Sequence, residues 1–462
     1  MIRVFKHYLP HLVLMLGLLD AAVLFAAAEI GWVVRAHQIG MRVTPILGRL
    51  PQLLIYAGSL LLAMIGVGVY SPLSLHSVRQ ATARLMVAIS LGVIVQSMLF
   101  FLVPGLTFWR SNLLYAMALS VVMLVGSRIA LGRALGSDAL KRRVMVLGAG
   151  PRAARLRTLA ARPGASFCVA EFIAMTATGH AVPDARPRDA IPNLAEHVVS
   201  LRASEVVLAL EERRNALPLT DLLRIRTTGV NVTDLSSFLE RETGRVDLAS
   251  VNPSWLIFSD GFSSGRALSG LVKRGFDIIV SLALLVFMAP VLLLTMLAIK
   301  LESRGPVFYR QRRVGLFNQP FEIPKFRSMR TDAEVGGTAV WAMKNDPRVT
   351  RVGRLIRKVR IDEIPQAWSV LKGEMSFVGP RPERPQFVES LEQQLPFYAE
   401  RHMVKPGITG WAQINYPYGA SIDDARHKLE YDLYYAKNYS PFLDLLILLQ
   451  TLRVVLWPEG AR

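Results

Sequence analysis

Four stretches of almost unbroken apolar residues, at about 12–34, 50–69, 85–103 and 113–131, open the chain. Each is close to the ~20 residues that cross a bilayer as a helix. The pattern therefore predicts a four-helix transmembrane domain over residues 1–135. Arg3 and Lys6 precede the first run as they would in a secretory leader, but that run continues to Val34 and is too long for a leader's apolar core. It is expected to be retained. From residue 141 the period changes: a short apolar run at 143–147 leads into Gly148-Ala-Gly150-Pro-Arg-Ala153, a G-x-G-x-x-A turn at which a helix would start. Strand patterns at 167–175, 203–210 and 230–233, with a helix pattern at 219–228, continue the β/α alternation and predict a Rossmann-like α/β domain over 141–250. Residues 251–270, rich in Gly, Ser, Asn and Pro, read as a linker. An uncharged run within 276–301, interrupted at Ala289-Pro290, introduces a basic, mostly helical domain over 271–462.

Charge adds orientation to this pattern. Arg128, Arg133, Lys141, Arg142 and Arg143 cluster after the fourth run, which places everything beyond 135 on the cytoplasmic side. The 276–301 run is flanked by Lys273 and Arg274 on one side and by Lys300, Arg304, Arg310, Arg312 and Arg313 on the other. Two positive flanks place both ends in the cytoplasm, so this segment is expected to enter the membrane and return as a helical hairpin, bent where Pro290 removes a helix hydrogen bond.

Composition then excludes classes. Of the 462 residues, 52% are hydrophobic and only 19% charged, which excludes an ordinary soluble protein. The 54 Lys and Arg against 35 Asp and Glu leave +19, so the expected partners are anionic: membrane phospholipid and phosphorylated small molecules, with no nucleic acid. The lone Cys168 excludes an intramolecular disulfide and a Cys-based zinc site. Asp20 and Glu29 fall inside the first run; Asp20 reads as a buried partner of a neighbouring helix, Glu29 as hydrated near the membrane edge. A dinucleotide site needs a carboxylate after the second strand, but Thr176-Ala-Thr-Gly179 follows it and Glu171 lies mid-strand, so NAD(P) is not expected. His402 and His427 show no ligand spacing and read as surface residues, and 442–457 reads as a helix against the membrane or in a core.

The C-terminal third concentrates the candidate chemistry. Arg348, Arg351, Arg354 and Arg357 recur along one side of a helix, where Arg348 and Arg351 would face solvent or lipid headgroups. Arg357 and Arg360 sit one turn or less before Asp362-Glu363, where guanidinium groups can bind phosphate oxygens and keep a carboxylate ionised. Pro365 fixes the chain just beyond. Arg381, between Pro380 and Pro382, stands on a stiff extended segment.

Five blocks occur in a recognisable order: Phe308-Tyr-Arg-Gln-Arg-Arg-Val-Gly315, Phe321-Glu-Ile-Pro-Lys-Phe-Arg-Ser-Met329, the run 346–366, Leu371-Lys-Gly-Glu-Met-Ser-Phe-Val-Gly-Pro-Arg-Pro382 and Val404-Lys-Pro-Gly-Ile-Thr-Gly-Trp-Ala-Gln413. Over about 270–462 the chain resembles the bacterial polyprenyl-phosphate sugar-1-phosphate transferases, and its front half resembles that of the large, exopolysaccharide-initiating branch. The resemblance implies a membrane enzyme of mixed α and α/β class, with four transmembrane helices, a Rossmann-like domain and a monotopic catalytic domain with a re-entrant helix at 276–301. It implies transfer of a sugar-1-phosphate from a UDP-sugar to undecaprenyl or another polyprenyl phosphate at the cytoplasmic face of the bacterial inner membrane, releasing UMP. Asp362 would be the nucleophile that carries the phosphosugar, Glu363 its assistant, and both the ligands of Mg²⁺ or Mn²⁺. Lys325, Arg327, Arg357, Arg360 and Arg381 would bind substrate phosphates, and Ala289-Pro290 would form the membrane break. Gly407, Gly410, Trp411 and Gln413 are read equally as packing residues or substrate contacts. The family usually has Ser-Pro at that break, so here no serine hydroxyl can cap it, and Pro324 stands where an aromatic is more usual. Homodimerisation and the later glycosyltransferases of the pathway are the protein partners the resemblance allows. Two other classes fit parts of the sequence: a non-catalytic scaffold for polysaccharide assembly, and a membrane-anchored Rossmann-type nucleotide-sugar-modifying enzyme. The latter would want a Tyr-x-x-x-Lys pair, absent from 141–250.

Overall fold

The computed structural model describes residues 2–4, 7–9, 11–43, 45–70, 78–103, 110–135, 141–162, 165–176, 181–211, 217–251, 267–331, 348–417, 419 and 421–456. The expected linker lies, from 252 to 266, outside them. The chain divides into two compact units, one of residues 1–3 and 8–250, the other of 4–7 and 251–462.

Four long helices occupy the first 135 residues: α1 (His11–Gln38), α2 (Leu50–Val67), α3 (Val78–Leu102) and α4 (Arg110–Leu135). Each contains a stretch long and apolar enough to cross a membrane. Leu24, Leu53, Tyr56, Leu60, Leu85 and Leu124 form a shared core with no exposure above 0%, while Leu18, Leu54, Ile94, Leu114 and Val122 point outward, as lipid-facing residues do. Asp20 is fully buried in this bundle, bonded by Arg128 Nη2 at 2.5 Å and by the Tyr70 hydroxyl at 2.9 Å. Glu29 is also engaged, by Arg49 at 2.8 Å. The acid read as a buried partner is thus one half of an interhelical ion pair. Removing one partner of a buried pair leaves a charge uncompensated, at a cost of about 3 kcal/mol or more. Arg128→Met should therefore lower the unfolding midpoint of the detergent-solubilised protein sharply, and the double variant Asp20→Leu/Arg128→Met should recover most of the loss. Equal midpoints for the single and double variants would contradict this.

Beyond the bundle, a five-stranded parallel sheet forms from β1 (Arg142–Leu147), β2 (Phe167–Ala174), β3 (Arg186–Pro187), β4 (Glu205–Leu208) and β5 (Asn231–Asp234), in the order β3-β2-β1-β4-β5. This is the doubly wound order of a Rossmann-like fold. Its central strands are apolar on both faces: Val144, Val146 and Val207 serve one core, Met145, Leu147 and Val206 the other. The turn after β1 needs glycine at 148, where φ is +131° and a Cβ would meet Ala209 O at 2.4 Å. Helix α5 (Pro151–Ala160) starts there, followed along the chain by α6 (Leu194–Ser200), α7 (Leu219–Thr227) and α8 (Leu235–Thr243), and the Glu211 carboxylate accepts the Arg152 N–H of α5 at 3.1 Å. The helix N-terminus that would face a pyrophosphate in a dinucleotide fold carries the chain's own carboxylate.

The second unit is organised around α9 (Ala267–Glu302). Two helices joined by a turn were expected; instead helical structure runs unbroken through Ala289 and Pro290 for 36 residues. Proline deletes a single backbone hydrogen bond, and Ala289 has no side-chain oxygen with which to cap a separate helix end. At 1.5 Å per residue the helix is about 54 Å long, well beyond a ~30 Å hydrocarbon core. Val286, Phe287, Leu293, Leu294, Leu297 and Leu301 are exposed, whereas Leu292 and Ile299 are buried against Phe326 and Ile356. Both of its ends are tied to the same domain. Near the start, Lys273 Nζ reaches Asp444 at 2.6 Å, Arg274 donates to Val370 O and Leu371 O at 2.6 Å, and Asp277 accepts from Ser376 and Phe377 N at 2.9 Å. At the far end, Glu302 accepts the first N–H groups of α10 (Arg351–Lys358), at 2.7 and 3.0 Å. Asp444 lies on the C-terminal helix Pro441–Leu456, whose Leu443 and Ile447 are also buried, so that face belongs to the core.

Candidate active site

The antiparallel pair β6 (Phe308–Val314) and β7 (Pro320–Phe326) supplies the first wall of the site. Side chains alternate along β7, so Phe321, Ile323 and Lys325 share one face. Phe321 and Ile323 pack there with Val370, Met375 and Ile408, which carries Lys325 to the same side. Pro324, unusual in a strand, stays paired with Arg310 in the register. The second wall follows α10: Arg360 adopts φ +60°, a left-handed conformation uncommon for a residue with a side chain, and turns the chain into the 3₁₀ segment Ile361–Gln366. In a 3₁₀ helix neighbours diverge by a third of a turn, so Asp362 and Glu363 face different surroundings. The third wall is the extended stretch 379–384. Gly379 admits Lys405 O, which would lie 2.2 Å from a Cβ there, and Pro380 and Pro382 hold Arg381 extended.

These walls bring together Asp362, Glu363, Lys325, Arg357, Arg360 and Arg381. Glu363 Oε1 accepts from Lys325 Nζ at 2.9 Å and from Arg381 Nη2 at 2.8 Å, and Arg360 Nη1 is 3.8 Å from Oε2. Burial alone would raise Glu363, but Arg381 and Lys325 overcome it and hold the carboxyl well below the usual range. Asp362 is the opposite case. It is 9% exposed, and its Oδ1 has no hydrogen-bond partner among the described residues. Burial, then the neighbouring Glu363 charge, raise its pKa, against Lys325, Arg357 and Arg360, which lower it. Burial pushes Lys325 down, with Glu363 opposing. One carboxylate is therefore locked by cations, while the next is desolvated with an oxygen unspent: the environment of a nucleophile or of a ligand to a hard cation.

Arg357 donates from Nε to Ser328 Oγ at 2.8 Å, and its charge lowers the pKa of Asp362. Arg327, expected to bind phosphate, is engaged by the chain itself. Its guanidinium donates to Ser303 O and Oγ at 2.8 Å and to Arg304 O at 3.1 Å, closing the end of α9. The last carbonyls of a helix lack intrahelical partners and attract a cation, and Arg327 meets that demand just beyond the helix end.

A second charged group adjoins the first and was not anticipated. Arg313 donates to Pro382 O at 3.2 Å and stands 3.7 Å from Glu383; burial pushes its pKa down to about 10. Arg401 is 4% exposed, bonded twice to Asp432 at 2.7 and 3.0 Å and once to Arg381 O at 2.9 Å, so it fixes the backbone that presents Arg381. Lys428 donates to Gly419 O at 2.7 Å and is pushed down by burial. The sequence signal for Glu383 was its position two residues after Arg381 in an extended segment. Arg401 and Asp432 meet only through the tertiary fold. Gly407 is in the short strand Gly407–Thr409, paired parallel with Ser376–Val378, and Trp411 stacks on Tyr434; both serve packing.

His402, read as a surface residue, is 6% exposed; neither ring nitrogen has a hydrogen-bond partner among the described residues. Burial, reinforced by Arg401, pushes it down to about 3 from an ordinary 6.5. Between those two values the unfolded chain binds the proton that the folded chain refuses, so stability rises with pH across this window, by about 1.4 kcal/mol per unit at most. His402→Phe should flatten the pH dependence of the unfolding midpoint between pH 6 and 4 relative to the parent. Parallel curves for the two proteins would disprove the assignment.

Comparison with known proteins bears on this site. Residues 268–458 match the family model described as bacterial sugar transferase. The chain is 44% identical over 241 residues to the UDP-N-acetylgalactosamine-undecaprenyl-phosphate N-acetylgalactosaminephosphotransferase of Aeromonas hydrophila, covering 52% of this chain and 56% of that one. It is 46% identical over 196 residues to the undecaprenyl-phosphate glucose phosphotransferase of Komagataeibacter xylinus, covering 41% and 37%. The sugar transferase EpsL of Bacillus subtilis, itself uncharacterized, is 43% identical over 194 residues, which cover 41% of this chain and 90% of EpsL. The chain thus spans about half the length or less of the first two relatives and nearly all of the third.

Proposed function

The chain belongs to the bacterial sugar transferase family, and on that premise we propose that it transfers a sugar-1-phosphate from a UDP-sugar to undecaprenyl or a related polyprenyl phosphate. The observation that carries this reading is the buried Asp362, with its unpartnered Oδ1, beside a Glu363 pinned by Lys325 and Arg381. The Asp362 carboxylate attacks the phosphorus that bears the sugar. The bond from that phosphorus to the bridging oxygen breaks, UMP leaves with the electron pair, and a phosphosugar remains on Asp362. An oxygen of the polyprenyl phosphate then attacks the same phosphorus and returns Asp362 as carboxylate, leaving a polyprenyl-diphosphate-sugar. Dividing the transfer lets two anionic substrates use one site in turn. Lys325, Arg357 and Arg381 bind and orient the phosphate oxygens, while Glu363 keeps Lys325 and Arg381 in place.

The donor set also fits a hard divalent cation. Asp362 offers an orphaned oxygen and Glu363 is adjacent. No group of three or more His, Cys, Asp or Glu side chains able to hold a metal occurs among the described residues. A site with one or two carboxylates, completed by substrate phosphates and water, is the arrangement Mg²⁺ favours, with Mn²⁺ as an alternative. Such an ion, when bound, would neutralise charge on the phosphates. The Rossmann-like domain supports a role without NAD(P), since Glu211 already meets the α5 N-terminus. With both ends of α9 bonded to one catalytic domain and positive flanks at each, we place the helix as re-entrant from the cytoplasmic face of the bacterial inner membrane, bent at Pro290. In this reading the chain initiates exopolysaccharide assembly.

The test is UMP release by the purified full chain in detergent with undecaprenyl phosphate, Mg²⁺ and a panel of donors that includes UDP-glucose and UDP-N-acetylgalactosamine. Release that requires the lipid and is abolished by EDTA supports the proposal; no release from any donor by folded protein overturns it.

A further inference from the structure

Resting on the nucleotide-sugar reading above, we propose that Glu383 forms a hydroxyl-binding subsite, accepting a vicinal pair of hydroxyl groups from the donor next to the phosphate site. Arg381 and Glu383 are two residues apart in an extended segment, with Glu383 O bonded to Val314 N at 3.0 Å and Pro382 O to Arg313 at 3.2 Å. Arg313 and Lys428 each lie within the field of both the Arg381 and the Glu383 charges, so the two side chains border one face. Arg381 reaches Glu363 on that face, so Glu383 flanks the place where the phosphates lie.

The other acids near this face are occupied. Glu363 holds Lys325 and Arg381; Asp432 accepts twice from Arg401 at Oδ2; Asp424 accepts from Ser421. The Glu383 carboxylate accepts no hydrogen bond among the described residues. Arg313 Nη1, its ion-pair partner, stands 3.7 Å away, beyond hydrogen-bond range, and the side chain is 26% exposed. Arg313 is committed to Pro382 O and to Gln311 at 2.6 Å. An ionised carboxylate repels phosphate but has two acceptor oxygens spaced for a diol, as in ribose recognition by dinucleotide folds. A UDP-sugar carries such pairs on the ribose and on the hexose, each a few bonds from the diphosphate.

The experiment compares the full chain with Glu383→Ala and Glu383→Gln in detergent. Affinities are measured by titration calorimetry for inorganic pyrophosphate, UDP, 2′,3′-dideoxy-UDP and UDP-glucose. We expect Glu383→Ala to bind pyrophosphate as tightly as the parent or more tightly, because a negative charge is gone, and to lose about tenfold or more in affinity for the hydroxylated ligand. Glu383→Gln, which keeps one acceptor, should fall between. If the parent prefers UDP to its dideoxy analogue and Glu383→Ala does not, the ribose supplies the diol. If the loss is confined to UDP-glucose, the hexose does. Unchanged affinity for both UDP and UDP-glucose, or equal weakening for pyrophosphate, overturns the subsite alone. A parent that binds neither UDP nor UDP-glucose overturns the nucleotide-sugar reading itself, and the subsite with it.

Discussion

Asp362→Asn is expected to lower UMP release by at least about 10³-fold while leaving the protein folded and still able to bind the donor. The amide is nearly isosteric with the carboxylate and removes a charge that burial already disfavours, so stability should hold or rise slightly. What disappears is the nucleophile: an amide oxygen cannot carry the phosphosugar, and losing the covalent group of an enzyme typically costs several orders of magnitude in kcat. Donor affinity should change by less than tenfold, because Lys325, Arg357 and Arg381 remain. With a radiolabelled sugar and no lipid acceptor, the parent protein should retain label through acid precipitation and Asp362→Asn should not. Label retained equally by both would move the covalent step to another residue; turnover within tenfold of the parent would remove Asp362 from the chemistry.

The sequence contains the parts of this site that are local, and hides those that depend on chain segments meeting. Asp362-Glu363 could be read because an acidic pair in a strongly basic stretch, one turn beyond Arg357 and followed by Pro365, is already unusual along the chain. The four apolar helices could be read for the same reason, since bilayer thickness sets their length without reference to anything else. Asp20 was legible as a buried acid, but its partner Arg128 is 108 positions away. Arg327 illustrates the reverse case. It sits two residues after Lys325, and in an extended chain the two would share a face, but the strand ends at Phe326 and the carbonyls at the close of α9 capture the guanidinium. Arg313, Arg401 and the pair Lys428 and Asp432 were unreadable because they lie in three different elements and gain their roles only when the 379–384 stretch meets them. Ala289-Pro290 shows that a proline in the sequence does not by itself end a helix: proline weakens a helix at one hydrogen bond, and packing of Leu292 and Ile299 beyond it maintains the helical structure.

The second large effect is expected at Lys325. Its half-buried ammonium is bonded to Glu363 at 2.9 Å and lowers the pKa of Asp362. Lys325→Met should reduce kcat by about 10² to 10³, the range seen when one preorganised donor is removed from a site where charge develops. It does so in two ways: a phosphate oxygen loses a cation, and Glu363 loses one of its two hydrogen-bond donors, keeping Arg381 at 2.8 Å and the more distant Arg360 at 3.8 Å. The two contributions separate in a double-mutant cycle with Glu363→Gln. If Lys325 acts chiefly by holding Glu363, the double variant will be no slower than the worse single one, a coupling of order 1 kcal/mol or more between touching groups. If it acts chiefly on substrate phosphate, the losses will multiply. Lys325→Arg should restore charge without restoring rate, because a planar guanidinium cannot occupy the compact position of an ammonium in a strand wedged against the 361–366 turn. A Lys325→Met variant with kcat within threefold of the parent would remove the residue from the transition state and leave it as a structural counter-ion to Glu363.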